Sequence, residues 1–320
     1  MRFKLLVITP VRHIDGVAKK LELIANVTYR DDPTLNEILP LIKNFDAVYT
    51  NPNKSRIFIG KELIDAGKKL KVICTASTGT NHIDIRYARK KGVEVLSLRE
   101  ERDTINQISS TAEHAFSLTM ASLRHILNSH NDVLKGIWDY EKFIGRQMNG
   151  LTIGVIGYGR LGEMYTNYCL AFGSRVLVYD PYKEDVDNNR VEMVNRIGEL
   201  LKSSDVISFH VHVTDETKNM VDYSWFSKMK PNVLMVNTSR GDIIVEKELV
   251  EFLSKNIKAM IATDVLADEI RNREDSPLLN YASRSSQVII TPHIGGMTKE
   301  AQEIAYNHAA KMLETFIIKN

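Results

Sequence analysis

The mainly apolar run Leu151-Thr152-Ile153-Gly154-Val155-Ile156 passes without interruption into Gly157-Tyr158-Gly159-Arg160-Leu161-Gly162. No other stretch restricts the fold of this chain so strongly. A short apolar segment ended by glycine reads as a buried strand, and a helix opens at Leu161. A strand that turns at once into a helix leads back to a parallel neighbour, and parallel sheets are stable when helices cover both faces.

The chain supplies such strands and helices twice over. In the first round the strands are Lys4 to Ile8, Ala47 to Tyr49, Val72 to Ala76 and Val93 to Ser97. Helical stretches alternate with them at Leu35 to Lys43, Gly60 to Ala66 and Ile83 to Lys91. Next, Ile105, Ile108, Ala112, Phe116, Met120, Leu123 and Leu127 recur at helical spacing, predicting one long helix over Thr104 to Asn128 with Asp103 as its N-cap. The second round has six strands: Leu151 to Ile156, Arg175 to Tyr179, Val206 to His210, Val233 to Asn237, Met260 to Thr263 and Val288 to Thr291. That count matches a doubly wound dinucleotide-binding sheet. A last helix, Lys299 to Ile318, is placed to pack back on the first domain.

Composition narrows the class. At 320 residues the chain is long for one core and comfortable for two. It is 43% apolar and 26% charged, which argues against disordered and fibrous classes. With 42 basic and 40 acidic residues the net charge is +2, so no nucleic-acid partner is expected, and Arg86, Arg89, Lys90 and Lys91 read as a solvated helix face. Cys74 and Cys169 have no metal or redox spacing, so no metal is expected and a reducing cytoplasm fits. The apolar part of the start, Leu5 to Ile8, is too short for a signal peptide. No run approaches the roughly 18 apolar residues of a spanning helix. The expectation is a soluble cytoplasmic protein with no membrane partner.

The glycine stretch carries chemistry as well as fold. Gly157 permits the tight turn, Gly159 lets the backbone approach a pyrophosphate, and Gly162 lets helix and strand pack closely. The helix N-terminus then turns its N–H groups toward phosphates. Asp180, at the end of the next strand, would accept hydrogen bonds from ribose hydroxyls and repel a 2′-phosphate, favouring NAD over NADP.

Three later residues complete a reaction kit. Arg240 follows the strand ending Val236-Asn237-Thr238-Ser239, where a guanidinium can hold a carboxylate in bidentate fashion. His293, in Thr291-Pro292-His293-Ile294-Gly295-Gly296, can give and take a proton near neutral pH. A carboxylate against its imidazole would fix the tautomer and favour the protonated form. Glu269 and Asp268, in Asp264-Val265-Leu266-Ala267-Asp268-Glu269, are both candidates by chemistry alone.

In their order these motifs resemble the NAD-dependent D-isomer-specific 2-hydroxyacid dehydrogenases, in particular the phosphoglycerate dehydrogenase-like branch. Ser110-Thr111-Ala112-Glu113-His114 resembles the family's long helix, and Trp138, Phe143 and Gly145 precede the glycine loop as they do there. The resemblance implies two doubly wound parallel-sheet domains, a Rossmann NAD domain (103–295) inserted into a flavodoxin-like substrate domain (1–102 and 296–320). It implies His293 as acid/base, Glu269 rather than Asp268 as its partner, and Arg240 as substrate anchor. Gly157, Gly159, Arg160, Leu161, Gly162, Asp180, Thr78, Thr238, Ser239, Asp264, Gly295 and Gly296 would touch NAD. Ser77, Thr78, Gly79 and Thr80 look like the loop that cradles the substrate carboxylate. The expected activity is hydride transfer between NAD and a small D-2-hydroxy acid or its 2-oxo acid, in a homodimer joined through the long helix, the reaction lying between the domains. Ile270 and His212 stand where the family usually has proline. Thr75 stands where 3-phosphoglycerate dehydrogenases resemble each other in an arginine that holds the phosphate, with Lys54 or Arg56 as possible substitutes. A non-catalytic NAD sensor of the same fold is the alternative class.

Overall fold

The computed structural model describes residues 2–52, 57–183, 186, 188–270 and 272–320; Lys54 and Arg56 lie outside them. The chain forms two compact units, Met1–Ile108 with Gly296–Asn320, and Ser109–Gly295. The segment 103–108, expected at the head of the second domain, therefore belongs to the first unit.

The first unit holds β1 (Lys4–Val7), β2 (Asn26–Tyr29), β3 (Ala47–Thr50), β4 (Val72–Thr75) and β5 (Glu94–Leu96), all parallel, in the order β2-β1-β3-β4-β5. This is the flavodoxin-like order. Successive strand residues feed opposite cores, as the pleat requires: Leu5 and Val7 on one face, Leu6 and Ile8 on the other. The helix Lys299–Lys319 covers the first of these faces with Tyr306, Ala309, Ala310 and Leu313. Its backbone is tied in by the Tyr49 hydroxyl, which donates to the Tyr306 carbonyl at 2.7 Å.

The second unit holds β6 (Thr152–Ile156), β7 (Arg175–Tyr179), β8 (Val191–Met193), β9 (Val206–Phe209), β10 (Leu234–Asn237), β11 (Met260–Thr263) and β12 (Val288–Ile290). All are parallel, in the order β12-β11-β10-β9-β6-β7-β8. The order reverses between β6 and β9, and ligands of open α/β sheets bind at that switch point, beyond the carboxyl ends of the strands.

Three expectations need correction. Strands β2 and β8 were not foreseen; both are short, half-exposed edge strands without an apolar signature. The long helix is three helices, Arg102–Ile105, Ser110–Leu123 and Ile126–Leu134. Asp103 lies inside the first of them, and the capping position falls to Glu101. The break after Leu123 has a distant cause. Arg146 N–H donates to the Leu123 carbonyl at 2.9 Å, and Gly145 passes so close that a Cβ there would sit 2.1 Å from that oxygen. The chain then turns through His125 at φ 52 before the next helix.

Candidate active site

The glycine loop leaves β6 at the switch point. Gly157 has φ +88, and a Cβ there would meet the His210 carbonyl oxygen at 2.7 Å. A Cβ on Gly162 would sit 2.1 Å from the Gly157 oxygen, so the helix Arg160–Ala171 can start this close to the strand only with glycine. Gly159 differs, because its Cβ direction opens into free space in front of the helix N-terminus. A side chain there would fill the cradle that a pyrophosphate needs, so the loop fits a dinucleotide. Arg160 and Leu161 form the first turn of that helix. Asp180 follows β7 and holds the loop itself: its carboxylate accepts from Tyr158 N–H at 2.8 Å and Tyr182 N–H at 3.0 Å.

The candidate reaction residues follow three adjacent strands, β10, β11 and β12. After β10, the buried Asn237 folds the turn: its side-chain oxygen accepts from Ser239 N–H at 3.0 Å and its amide donates to the Arg240 carbonyl at 2.9 Å. Thr238 is buried beside it. Gly241 follows, where a Cβ would lie 2.0 Å from the Leu266 carbonyl carbon. The turns after β10 and β11 therefore touch backbone to backbone. This contact brings Arg240 and Glu269 into mutual electrostatic range: burial pulls the guanidinium pKa down, and the charges of Glu269 and Asp242 push it back up.

After β11, Asp264 is 1% exposed. Its carboxylate accepts from Ile294 N–H at 2.8 Å, Gly295 N–H at 2.7 Å and the Thr291 hydroxyl at 2.5 Å, with His114 Nε2 3.3 Å away. Burial alone would raise its pKa. Hydrogen bonds from His114, Thr291, Ile294 and Gly295 outweigh that and hold it below the usual carboxylate value. Asp264 thus fixes the turn that carries His293. His293 has φ 55, and its N–H donates to the Asp264 carbonyl at 2.9 Å. Its Nδ1 lies 2.5 Å from Glu269 Oε1, while Glu269 Oε2 accepts from Leu266 N–H at 3.2 Å. The structure therefore pairs Glu269 with the imidazole; Asp268 instead accepts from the Asn272 amide at 2.9 Å.

In the first unit, the loop after β4 is organised by the buried Thr75, whose hydroxyl lies 2.8 Å from Ser77 Oγ and 3.1 Å from His82 Nε2. The Ser77 hydroxyl donates to the Gly79 carbonyl at 2.7 Å, and Thr80 receives Ile83 N–H at 2.9 Å. Thr78 is half-buried in this loop, and Gly296 opens the segment returning to this unit. Ile270, next in sequence to Glu269, is half-buried, and His212 lies exposed beyond β9. Among the described residues no cluster of His, Cys, Asp or Glu is placed to hold a metal, and no helix is long and apolar enough to cross a membrane.

Sequence reasoning gave His114 no site role and passed over Glu246. Glu246, Leu249 and Leu253 share one helix face, and that spacing could have marked the glutamate as buried.

Residues 116–295 match the family model described as D-isomer specific 2-hydroxyacid dehydrogenase, NAD binding domain. The D-3-phosphoglycerate dehydrogenase of Methanocaldococcus jannaschii is 34% identical over 313 residues, 97% of this chain and 57% of that protein. The corresponding enzyme of Archaeoglobus fulgidus is 37% identical, over 83% of this chain and 48% of its own length. The chain thus spans about half the length of these relatives. A hydroxypyruvate reductase of Thermotoga maritima is 34% identical over 83% of each chain. The crystal structure of D-lactate dehydrogenase from Aquifex aeolicus, complexed with NAD and lactic acid, superposes with a TM-score of 0.84 at 28% identity, covering 99% of this chain and 96% of that one. With the dinucleotide loop and the Arg240, Glu269 and His293 constellation at the strand ends where that family model lies, the chain belongs to the D-isomer specific 2-hydroxyacid dehydrogenase family, and residues 116–295 form its NAD-binding domain.

Proposed function

We propose that this protein is an NAD-dependent dehydrogenase that interconverts a small D-2-hydroxy acid and its 2-oxo acid. The observation that carries this reading is the 2.5 Å contact of His293 Nδ1 with Glu269, beside Arg240, on the sheet that holds the dinucleotide loop. When bound, the nicotinamide supplies or accepts the hydride. The chain's own residues do the rest. Arg240 holds the substrate carboxylate through its guanidinium fork. Glu269 keeps Nδ1 engaged, so the proton exchanged with the substrate oxygen is the one on Nε2. In reduction His293 gives that proton to the carbonyl oxygen, and in oxidation it takes the proton back. The loop Ser77 to Thr80 is assigned to the substrate carboxylate as well, and Thr78, Thr238, Ser239 and Asp264 to the nicotinamide end.

Thr75 is neutral, buried and engaged with Ser77 and His82, so this position offers no charge to a phosphate. That favours an unphosphorylated acid over 3-phosphoglycerate, although two of the relatives above are D-3-phosphoglycerate dehydrogenases. The test is NADH oxidation, followed at 340 nm, with glyoxylate, hydroxypyruvate, pyruvate, branched-chain 2-oxo acids and 3-phosphohydroxypyruvate. Turnover of at least one of them is expected. Inactivity on all of them, with NADH still bound, would replace the enzyme by an NAD sensor.

We further propose a homodimer. The segment 126–144 exposes Leu134, Trp138, Tyr140 and Ile144 together, with Trp138 90% exposed, and the helix Ile126–Leu134 buries no residue. Apolar exposure of this density marks an association surface. Trp138→Glu together with Ile144→Glu should halve the mass measured by light scattering. The buried thiols of Cys74 and Cys169 suit a reducing compartment, and we place the protein in the cytoplasm.

A further inference from the structure

The helix Glu246–Lys255 turns Leu249 and Leu253 into the core, and Glu246 stands on the same face, 7% exposed. A carboxylate is buried this deeply only with partners. Here they come from Ala267 and from the start of the helix Pro277–Ala282. Glu246 Oε1 accepts from Ala267 N–H at 2.8 Å, and Oε2 accepts from the Ser276 hydroxyl at 2.6 Å and Leu278 N–H at 3.4 Å. Ser276 is in turn the cap of the helix Pro277–Ala282, its oxygen accepting from Leu279 N–H at 3.1 Å. The two attachment points, Ala267 and Ser276, lie on either side of Glu269. Between them Asp268 takes φ 48, a left-handed turn that aspartate tolerates better than most residues.

We propose that Glu246 is a positioning residue: its buried carboxylate clamps both ends of the loop bearing Glu269 and so sets the contact of Glu269 with His293. The inference rests on the reading of Glu269 and His293 as the proton-handling pair. Geometry is what the clamp supplies. Two oxygens facing different ways hold Ala267 and Ser276 at once, which a side chain one methylene shorter cannot do. The amide of glutamine has the same span, keeps an oxygen for Ala267 N–H and can offer its NH2 group to Ser276 Oγ.

The test uses the full chain and two readouts, turnover of whichever 2-oxo acid is reduced and the low-field proton resonance of the His293 Nδ1–Glu269 hydrogen bond. Glu269→Gln serves as the reference for its loss. Glu246→Ala and Glu246→Asp should both lose or broaden that resonance and lower kcat by about 10- to 100-fold, the cost of a small misplacement, with the KM for NADH unchanged. Glu246→Gln should keep the resonance and most of kcat. If Glu246→Ala does not fold, the contrast between the Asp and Gln variants decides. Retention of both resonance and kcat in the Asp variant, however far its Tm falls, overturns the proposal and leaves Glu246 as a packing residue. A wild type without the resonance, or one in which Glu269→Gln does not remove it, overturns the Glu269–His293 pairing and this proposal with it. A resonance that responds to Glu246 in a protein reducing no 2-oxo acid leaves the clamp standing and removes the enzymatic reading.

Discussion

His293 and Arg240 serve the proposed reaction in ways that separate by kinetics. A general acid acts on the chemical step, so His293→Ala should cost about 10²- to 10⁴-fold in kcat with NADH affinity unchanged by fluorescence titration. Retained turnover would remove His293 from the mechanism. Arg240→Lys keeps a charge but loses the planar fork, so the KM for the 2-oxo acid should rise by about tenfold or more. An unchanged substrate KM would mean that Arg240 is not the anchor. His210 makes a prediction about stability. Burial pulls its pKa down from 6.5 to about 3, while Ser208 Oγ lies 2.8 Å from its Nε2. As pH falls below the unfolded value, the unfolded chain binds a proton that the folded chain refuses. Stability is therefore lost progressively from about pH 6.5 toward pH 3, by at most about 1.4 kcal/mol per pH unit for this one proton. Asp264, with its depressed pKa, adds a loss in the same direction at the acid end, since its contribution is full above the unfolded carboxylate value and fades as pH drops through the folded one. His210→Gln should flatten the slope of unfolding free energy between about pH 6 and 4 in urea titrations. An equal slope in the variant would mean that His210 titrates normally.

At the scale of elements, the contact between the turns after β10 and β11 depends on one hydrogen atom. Gly241→Ala places a methyl within 2.0 to 2.3 Å of the Leu266 and Ala267 backbone, which cannot swing aside as a side chain could. The expected cost is about 2 kcal/mol or more in stability, together with a fall in kcat from the displaced Glu269 loop. A variant with wild-type Tm and turnover would show that the turns separate freely. The same scale explains what could be read in advance. Central strands such as β3 and β10 announce themselves because their mostly apolar residues are all buried, on one face or the other. The edge strands β2 and β8 lack that signature, having one neighbour and a wet side. The apolar spacing from Ile105 to Leu127 is real, yet the helix ends at Leu123, where Gly145 and Arg146, far along the chain, meet its carbonyl. Local periodicity cannot carry that information. The site divides the same way: strand ends pointed to Arg240 and His293, only the family resemblance chose Glu269 over Asp268, and the partners of Glu246 and His114 are fixed only by folding.

At the scale of the whole molecule, the second unit is one continuous stretch, Ser109–Gly295, while the first is assembled from two. The two ends of the continuous stretch meet: an added Cβ on Gly295 would lie 3.3 Å from the Thr111 methyl. It also has two packed cores of its own, one on each face of its sheet. Residues 109–295 expressed alone should therefore unfold cooperatively, and NADH should raise the midpoint as RT ln(1 + [NADH]/Kd) requires. A fragment with native-like circular dichroism but no shift with NADH would place part of the dinucleotide site elsewhere.

The split first unit also sets an order of events on the ribosome. Its sheet is translated early, but the helix that seals one face, with Tyr306 over Tyr49 and Ala309 over Cys74, is made only after the intervening unit. At about 5 to 20 residues per second, that face stays bare for roughly 10 to 40 s. A nascent chain stalled near residue 295 should then present Leu5, Val7 and Val72 to chaperones, because the helix that covers them has not yet been made.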